Sequence, residues 1–313
     1  MSRIHEALKK AQQDRALQPP AENTTAPPDE QALAPMTAFA TAAAVLPGTD
    51  PAARPRHTDP RPLTFEDLSQ HCAVSHWKLD PQNLLPFGSS FHVPGTEELR
   101  TLRSKLYQLA EARSLKTVLI ASALPSEGKT FIAGNLAQVM ARQHQRKVLL
   151  IDSDLRRPRL HLSLGSALEP GLTDYLRGAA DEYAVVQKGS VENLFLITGG
   201  TPVNNPSELI TNGRLKSLVE RMSPLFDWII LDSPPVLPVS DARLLASFCD
   251  GVVVVVRAGR TPYGLSLKAC QEFAADQLVG IVLNGVSHSR SYMAYQYYGV
   301  GNQPTQNGRT FTA

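Results

Sequence analysis

Residues 122–130, SALPSEGKT, contain the residue types that hold the phosphates of a nucleotide. They end in Gly128, Lys129 and Thr130, as does the phosphate-binding pattern G-x-x-x-x-G-K-[ST], but Ala123 replaces its first glycine. In such a loop, backbone N–H groups surround the phosphates, the lysine binds phosphate oxygens and the threonine hydroxyl ligates Mg²⁺. Ala123 is acceptable if its position does not require a positive φ. We therefore predict a site for ATP and Mg²⁺, contacted by Ser126, Glu127, Gly128, Lys129, Thr130 and Phe131.

Three carboxylates follow two later apolar runs. Asp152 and Asp154 come after KVLLI, and Asp232 comes after DWIIL. Ligands of open α/β sheets collect at the carboxyl ends of the strands, and alternation along an extended segment points Asp152 and Asp154 to one side. One of this pair can accept a proton from an incoming hydroxyl while the other orients Mg²⁺-bound water. We expect Thr130, Asp154 and Asp232 to hold the metal and Arg156 to supply positive charge. An acidic strand end is common by itself, so the prediction depends on the combination with the loop.

The elements that must position these residues begin near residue 95. Six apolar segments read as strands: KTVLIAS, KVLLID, LFLIT, WIILD, VVVVVR and GIVLN. Helical patterns cover residues 97–112, with Thr96 as a cap and a leucine stripe, and residues 130–143, 207–222 and 241–248. Strands that alternate with helices predict an α/β fold with a doubly wound, mostly parallel sheet.

Composition divides the 313 residues into four parts. Residues 1–16 form a short amphipathic pattern, which either folds on a partner or is a frayed terminus. Residues 17–94 are rich in Pro and Ala and have no persistent apolar periodicity, so most of this long segment is predicted to be a flexible, disordered linker. The stretches LTFEDLSQHC and WKLDPQNLLPF within it are either short docking motifs or further linker. Residues 95–288 form the predicted globular domain, and residues 289–313 a flexible, tyrosine-rich tail.

Charge and cysteine usage exclude several classes of protein. The net charge of +2 gives no support for a nucleic-acid-binding surface over the whole molecule. Three scattered cysteines predict reduced thiols rather than a disulfide framework or a zinc site. No apolar run reaches the roughly 18–20 residues that span a bilayer, and the N-terminus has no signal-peptide core. We therefore expect a cytoplasmic protein that reaches a membrane only through a partner.

The three motifs resemble those of the bacterial tyrosine kinases (BY-kinases) of capsule and exopolysaccharide synthesis. That family combines a Walker A loop, a Walker A′ segment with a DxDxR ending and a Walker B run ending in Asp, which match ALPSEGKT, LLIDSDLR and WIILDSPP. The stretches GLTDYLRG and NNPSELI also fit the family. The similarity covers roughly residues 90–300. It implies a P-loop NTPase fold of the MinD/ParA type and, as catalytic residues, Lys129, Asp152, Asp154 and Asp232.

The resemblance also implies a substrate and partners. Tyr292, Tyr295, Tyr297 and Tyr298 lie within seven residues of the tail, as does the cluster that the family autophosphorylates between subunits. The pattern E-x-x-R-x-x-R, which the family uses for subunit contact, falls on Glu97, Arg100 and Arg103 and implies a ring-shaped homo-oligomer. A membrane polysaccharide copolymerase or adaptor would activate the kinase at the inner membrane, and a cognate tyrosine phosphatase would oppose it.

Two positions and two other functions stay open from the sequence alone. Ser126 stands where relatives commonly have a second loop glycine, so the loop is expected to be stiffer. Asn284, after the last strand, either contacts the adenine edge or simply ends the strand. The alternatives to a kinase are a ParA/MinD-like switch ATPase and an ATP-binding regulatory subunit without kinase activity. The first typically has an early loop lysine where this chain has Leu124, and it does not account for the tyrosine cluster.

Overall fold

The computed structural model of the chain describes residues 63–85, 95–143 and 146–286, which form one α/β unit. Its eight-stranded sheet has the order β1-β4-β5-β3-β6-β2-β7-β8, and every neighbouring pair is parallel except β4 and β5. The strands are β1 (Ala73–Val74), β2 (Thr117–Ser122), β3 (Val148–Asp152), β4 (Val186–Lys188), β5 (Leu194–Ile197), β6 (Trp228–Asp232), β7 (Gly251–Arg257) and β8 (Leu278–Asn284).

Helices cover both faces of this sheet. They are α1 (Phe65–His71), α2 (Thr96–Ala112), α3 (Lys129–Ala141), α4 (Leu160–Leu164), α5 (Leu172–Leu176), α6 (Glu182–Val185), α7 (Pro206–Thr211), α8 (Arg214–Met222), α9 (Asp241–Ala246) and α10 (Tyr263–Gln271). The predicted doubly wound, mostly parallel sheet is therefore confirmed.

Alternation along the central strands divides the core into two layers. On β6, Ile230 belongs to the layer that contains Leu136 of α3, whereas Ile229 belongs to the layer that contains Leu218 of α8. All of these side chains are fully buried. Because successive side chains of a strand point to opposite faces, a strand covered on both sides needs an unbroken apolar run. The runs of β2, β3, β5, β6 and β7 have this form, which explains why these five strands could be predicted.

Residues 63–85 are a correction to the predicted linker. They fold onto the domain through α1 and through β1, which pairs with β4 at the edge of the sheet. Leu68, Trp77 and Leu84 are at most 6% exposed. Trp77 packs so closely on Gly189 that a Cβ there would lie 2.1 Å from the indole ring. The segment is therefore a strap across the domain, and we use the term strap for residues 63–85 below.

The strap ends on the helix that follows the phosphate loop. The Asn135 side chain of α3 is fully buried, accepts a hydrogen bond from the Leu85 N–H at 2.7 Å and donates one to the Asn83 carbonyl at 3.0 Å. Leu84 contacts the same helix at Gly134, where a Cβ would lie 3.1 Å from the leucine side chain. The strap and α3 are thus joined by polar and apolar contacts within the same turn.

Two predicted helices differ in detail. The expected helix at 207–222 is two helices, α7 and α8, because Gly213 adopts φ 82° between them and interrupts the helical path. The helix α2 begins at Thr96 with Gly95 as its N-cap, so Thr96 is the first helical residue rather than the cap. Strands β1 and β4, of two and three residues, were not predicted because they are too short to show a period.

The remaining expectations concern thiols and membranes. Cys72, Cys249 and Cys270 are free and buried. None of the helices in residues 63–85, 95–143 and 146–286 has the length and apolar character that a membrane span needs.

Candidate active site

The three motifs meet at the carboxyl edge of the three central strands β3, β6 and β2. Asp152 and Asp232 are partners in the register of β3 and β6, and Ile120 of β2 lies opposite Asp232. Residues 122–130 continue from β2 into α3 at the same edge. The structure therefore brings the loop and the strand-end carboxylates together, as parallel strands with a common direction require.

Two residues of the loop have left-handed backbone conformations. Gly128 has φ 96° and Ser126 has φ 65°. Among the described non-glycine residues, positive φ values occur only at Ser126 and Asn193, so Ala123 does not need glycine's freedom. The alanine at the loop entrance is therefore compatible with the turn, whereas Ser126 occupies a conformation that glycine would adopt with less strain.

The loop presents backbone donors at the start of α3. The N–H groups of residues 128–130 donate to no acceptor within the described part of the chain, and α3 has no side-chain cap. At Gly128 a Cβ would lie 2.0 Å from the Asn284 amide nitrogen, so a larger residue would collide with it. Free N–H groups at a helix N-terminus are a ready site for phosphate.

Lys129 lies among carboxylates. Its Nζ is 3.3 Å from Asp154 Oδ2, and both side chains are largely buried. Burial lowers the pKa of Lys129, but the charges of Asp232, Asp154 and Asp152 outweigh this, and the pKa is raised overall. Lys129 is therefore charged at neutral pH, in the state that a phosphate-binding lysine needs.

Asp152 is fully buried and points toward the start of α4. Its Oδ2 accepts hydrogen bonds from the N–H groups of Arg159 at 2.8 Å and Leu160 at 2.9 Å, and its Oδ1 accepts a longer one, 3.3 Å, from the Asp154 N–H. Burial and then the charge of Asp232 raise its pKa well above the usual value. A raised pKa makes the ionised carboxylate a better proton acceptor.

Asp232 has no hydrogen-bond partner for either carboxylate oxygen among the described residues, although it is only 1% exposed. Burial raises its pKa to about 6, while the Lys129 charge and the nearby Thr130 hydroxyl act in the opposite direction. A buried carboxylate without a donor is costly unless a cation or donor completes it.

This arrangement fits Mg²⁺. The cation is usually held by one or two carboxylates together with water and substrate phosphates rather than by an all-protein cage. No group of three or more His, Cys, Asp or Glu side chains in the described ranges could hold a metal alone. The carboxylate oxygens of Asp232 have no hydrogen-bond partner among the described residues and lie near Thr130, so they could bind a cation that the nucleotide phosphates also bind.

Arg156, predicted to supply positive charge to the nucleotide, is engaged elsewhere. Its Nε lies 2.6 Å from Asp241 Oδ2, its second terminal nitrogen 3.3 Å from the other oxygen, and its first terminal nitrogen donates to the Asn204 carbonyl at 3.0 Å. Asp241, only 1% exposed, also accepts a hydrogen bond from Ser207 at 2.7 Å. Asp241 could not be recognised from the sequence, because nothing in its local pattern indicates a partner 85 residues away.

Glu127 and Asn284 contact the loop itself. Glu127 is 3% exposed; its Oε2 accepts from the Leu124 N–H at 2.8 Å, and its Oε1 accepts from the Thr261 hydroxyl. Burial raises the pKa of Glu127, and the hydrogen bond from Thr261 is the main opposing influence. Asn284 donates through Nδ2 to the Glu127 carbonyl at 2.9 Å. Thr261, which the sequence analysis did not single out, completes this cluster.

The other predicted residues lie on α3, on α2 or in the C-terminal tail. Phe131 is half-buried and packs against the core under α3. On α2, Glu97 and Arg100 form an exposed ion pair, and Arg103 donates to the Val139 carbonyl of α3 at 3.1 Å. The four tail tyrosines lie outside the described residues.

Fold and site together define a nucleotide-binding protein with a phosphate loop. The profile of the AAA domain family matches residues 116–267. The chain is 36% identical over 206 residues to the tyrosine-protein kinase YwqD of Bacillus subtilis, an alignment that covers 65% of this chain and 86% of YwqD. It is also 36% identical over 203 residues to the tyrosine-protein kinase etk of Escherichia coli K12, covering 64% of this chain and 28% of etk. The chain belongs to the bacterial tyrosine-protein kinase family.

Solved structures agree with this assignment. The kinase domain of the E. coli tyrosine kinase ETK has a TM-score of 0.57 at 33% identity, covering 63% of this chain and 79% of that one. The chimerical protein CapA2B2 has a TM-score of 0.62 at 29% identity, covering 72% of this chain and all of the other. The chain spans most of YwqD but only 26% of the kinase ptk of Acinetobacter johnsonii. The described unit is thus a tyrosine-kinase domain with a nucleotide-binding P-loop fold.

Proposed function

We propose that the protein is an ATP-dependent tyrosine autokinase that phosphorylates the C-terminal tyrosine cluster of a neighbouring subunit and so regulates exopolysaccharide or capsule synthesis and export. The observation that carries this proposal is the orphaned, buried carboxylate of Asp232 beside Lys129, at the open donors of the loop. The family of the chain supplies the reaction type, protein-tyrosine phosphorylation.

The residues of the site have complementary roles in this proposal. The N–H groups of residues 128–130 and the Lys129 ammonium bind the phosphates and fix the γ-phosphorus for in-line attack. Thr130, Asp154 and Asp232 would hold Mg²⁺, which would offset negative charge on the nucleotide phosphates. The Lys129 ammonium, which lies 3.3 Å from Asp154 Oδ2, would bind phosphate oxygens.

Asp152 is the proposed proton acceptor. Its Oδ2 is fixed by two backbone donors, whereas its Oδ1 accepts only the long bond from the Asp154 N–H and is the atom best able to take a proton. The attacking phenol oxygen loses its proton to Asp152, bonds to the γ-phosphorus, and the bond to the β-γ bridging oxygen breaks. ADP and phosphotyrosine are the products.

Partners and location are part of the proposal. We place the kinase in the cytoplasm at the inner membrane, bound to a polysaccharide copolymerase or adaptor that activates it, with residues 1–16 and 17–62 as the connection. The subunits form a ring through Glu97, Arg100 and Arg103, and a tyrosine phosphatase reverses the reaction. Each tail phosphate adds a charge of about −1.5 to −2, so several together would repel one another and disfavour tail insertion at the acidic site.

A mixing experiment tests both the site and the direction of transfer. Lys129→Met should lose autophosphorylation, whereas the control Lys216→Met, at an exposed lysine of α8, should not. An active protein with all four tail tyrosines changed to Phe is then mixed with the Lys129→Met protein and Mg-ATP. Phosphopeptide mapping should find phosphate on the tail of the Lys129→Met chain.

The outcomes separate the alternatives. Phosphotyrosine on purified Lys129→Met protein alone would contradict the catalytic assignment. Absence of phosphate from the tail of the Lys129→Met chain in the mixture, while the active wild-type protein phosphorylates itself, would contradict transfer between subunits. ATP hydrolysis without phosphotyrosine, with or without a membrane partner, would favour the switch ATPase.

A further inference from the structure

Two hydrogen bonds to the Glu127 side chain, from the Leu124 N–H and the Thr261 hydroxyl, hold the phosphate loop, and we call this pair of bonds the brace. Glu127 lies next to Gly128, yet both of its carboxylate oxygens are turned into the protein, toward the Leu124 N–H and the Thr261 hydroxyl. With 3% of the residue exposed, the carboxylate has no free face for a nucleotide. A negative charge directed at a triphosphate would in any case repel it.

The brace closes the loop on itself. The hydrogen bond from Leu124 to Glu127 spans three residues and encloses Pro125 and Ser126. Ser126 is the loop residue with φ 65°, a conformation that a side chain disfavours and that persists only when its surroundings impose it. The Glu127 carboxylate supplies that constraint from within the same turn.

The brace is anchored to two other strands. Thr261, 7% exposed, lies in the turn between β7 and α10, and its hydroxyl oxygen accepts the Arg257 N–H at 3.2 Å. Asn284, the last residue of β8, donates to the Glu127 carbonyl. The side chain of Glu127 thus links the loop to the end of β7, and its main-chain carbonyl links the loop to the end of β8.

We propose that Glu127 is a positioning residue, which holds residues 124–128 in the phosphate-binding conformation through Leu124 and Thr261 and thereby offsets the strain of Ser126. This inference deepens the proposed function and rests on it, because it assigns the loop to a nucleotide. The sequence predicts that Glu127 belongs to the nucleotide-binding loop, and the inference adds a role for its side chain within that loop.

Calorimetric titration with Mg-ADP tests the inference on the full-length chain. Glu127→Ala should weaken binding at least tenfold, and Thr261→Val about threefold or more. The double variant should bind no more weakly than Glu127→Ala alone, since both changes break one connection. Glu220→Ala, at an exposed glutamate of α8, is the matched control and should stay within twofold of the wild type.

A rescue distinguishes positioning from general stability. In the Glu127→Ala background, Ser126→Gly should recover at least threefold of the lost affinity, because glycine adopts the left-handed conformation without the brace. In the wild-type background, where the Glu127 carboxylate still holds the loop, the same change should raise affinity by a smaller factor than in the Glu127→Ala background. The inference would be overturned if Glu127→Ala bound Mg-ADP as tightly as the wild type. It would also be overturned if Ser126→Gly did not recover the affinity lost in Glu127→Ala and the losses from Glu127→Ala and Thr261→Val were additive in the double variant.

Hydrogen exchange gives a readout that needs no nucleotide. In the nucleotide-free protein, the Leu124 amide should exchange at least tenfold faster in Glu127→Ala and near the wild-type rate in Glu220→Ala. If Glu127→Ala does not fold, the same comparison uses Thr261→Val with and without Ser126→Gly. A wild-type chain that binds no Mg-ADP but shows the exchange difference would refute the proposed function and leave the brace intact; an unchanged exchange rate would refute the brace.

Discussion

Asp232 is buried beside a lysine, and among the described residues no donor meets hydrogen-bond geometry at either carboxylate oxygen, although the Thr130 hydroxyl and the Ser233 N–H lie near enough to lower its pKa. Its pKa of about 6 stands against a usual value of 3.8, mainly because of burial. The folded protein therefore binds this proton more tightly than the unfolded chain, so protonation favours the folded state. Stability from this group is fully present below about pH 4 and is lost as the pH rises to about 6. Above pH 6 the buried charge costs roughly 3 kcal/mol, from about 2 pKa units at 1.36 kcal/mol each.

Asp232→Asn should consequently stabilise the nucleotide-free protein while abolishing kinase activity. We expect its free energy of unfolding to exceed that of the wild type by about 2–3 kcal/mol at pH 7.5. The difference should shrink as the pH falls from 6 to 4, because only the wild-type side chain titrates. Urea denaturation of both proteins across this pH range measures it. A constant difference, or a less stable variant at pH 7.5, would show that Asp232 is compensated by groups within the protein.

At the scale of elements, α2 combines two kinds of contact that its sequence pattern does not separate. The Glu97 and Arg100 side chains are 49% and 45% exposed, whereas Arg103 donates to the Val139 carbonyl of α3. Changing all three residues would therefore disturb the packing of α2 on α3 as well as any subunit contact. The exposed pair alone gives the cleaner test of the predicted oligomer interface.

Glu97→Ala with Arg100→Ala should reduce the particle mass in multi-angle light scattering and leave the melting temperature within about 2 °C, since an exposed ion pair contributes little. Arg103→Ala, in contrast, should lower the melting temperature, because it removes a helix-to-helix hydrogen bond. Lys216→Ala with Glu220→Ala, an exposed pair at i,i+4 on α8, serves as the control and should change neither quantity. An unchanged mass in the first variant would refute the interface.

The elements also show what sequence could and could not predict. The central strands and their terminal aspartates were predictable, because β2, β3 and β6 are buried on both faces and have to be continuous apolar runs. Because these strands are parallel, their carboxyl ends lie at the same edge of the sheet. The inward turn of Glu127 was not predictable, since its partner Thr261 is 134 residues away. The pairing of Arg156 with Asp241 escaped prediction for the same reason.

At the scale of the whole molecule, the strap packs on the domain, although its sequence has no helical or strand periodicity from which this packing could be predicted. Leu68, Trp77 and Leu84 lie in two short stretches of the longer segment 17–94, and they are buried on surfaces formed by later residues. The composition of that longer segment, which is rich in Pro and Ala, predicted a linker with at most short docking motifs. Removing the strap would uncover these surfaces and leave the buried Asn135 amide without two of its partners.

Two N-terminal truncations test this. A chain that begins at residue 63 should retain the melting temperature of the full-length protein within about 2 °C. A chain that begins at residue 95 should be less stable by several kcal/mol, because large apolar side chains each contribute about 1.5–3 kcal/mol on burial. Thermal unfolding measures the stability of both truncated chains, and Mg-ADP titration measures their nucleotide affinity. Equal stability of the two chains would show that the strap does not stabilise the fold.

The position of the strap also limits how members of this family can be recombined. An exchange of upstream segments joined near residue 95 would cut an edge strand away from its sheet and separate Asn83 and Leu85 from the helix that begins with Lys129. A junction before residue 63 keeps those contacts within one parent. Hybrids made at the two junctions should therefore differ in solubility even when their catalytic residues are identical.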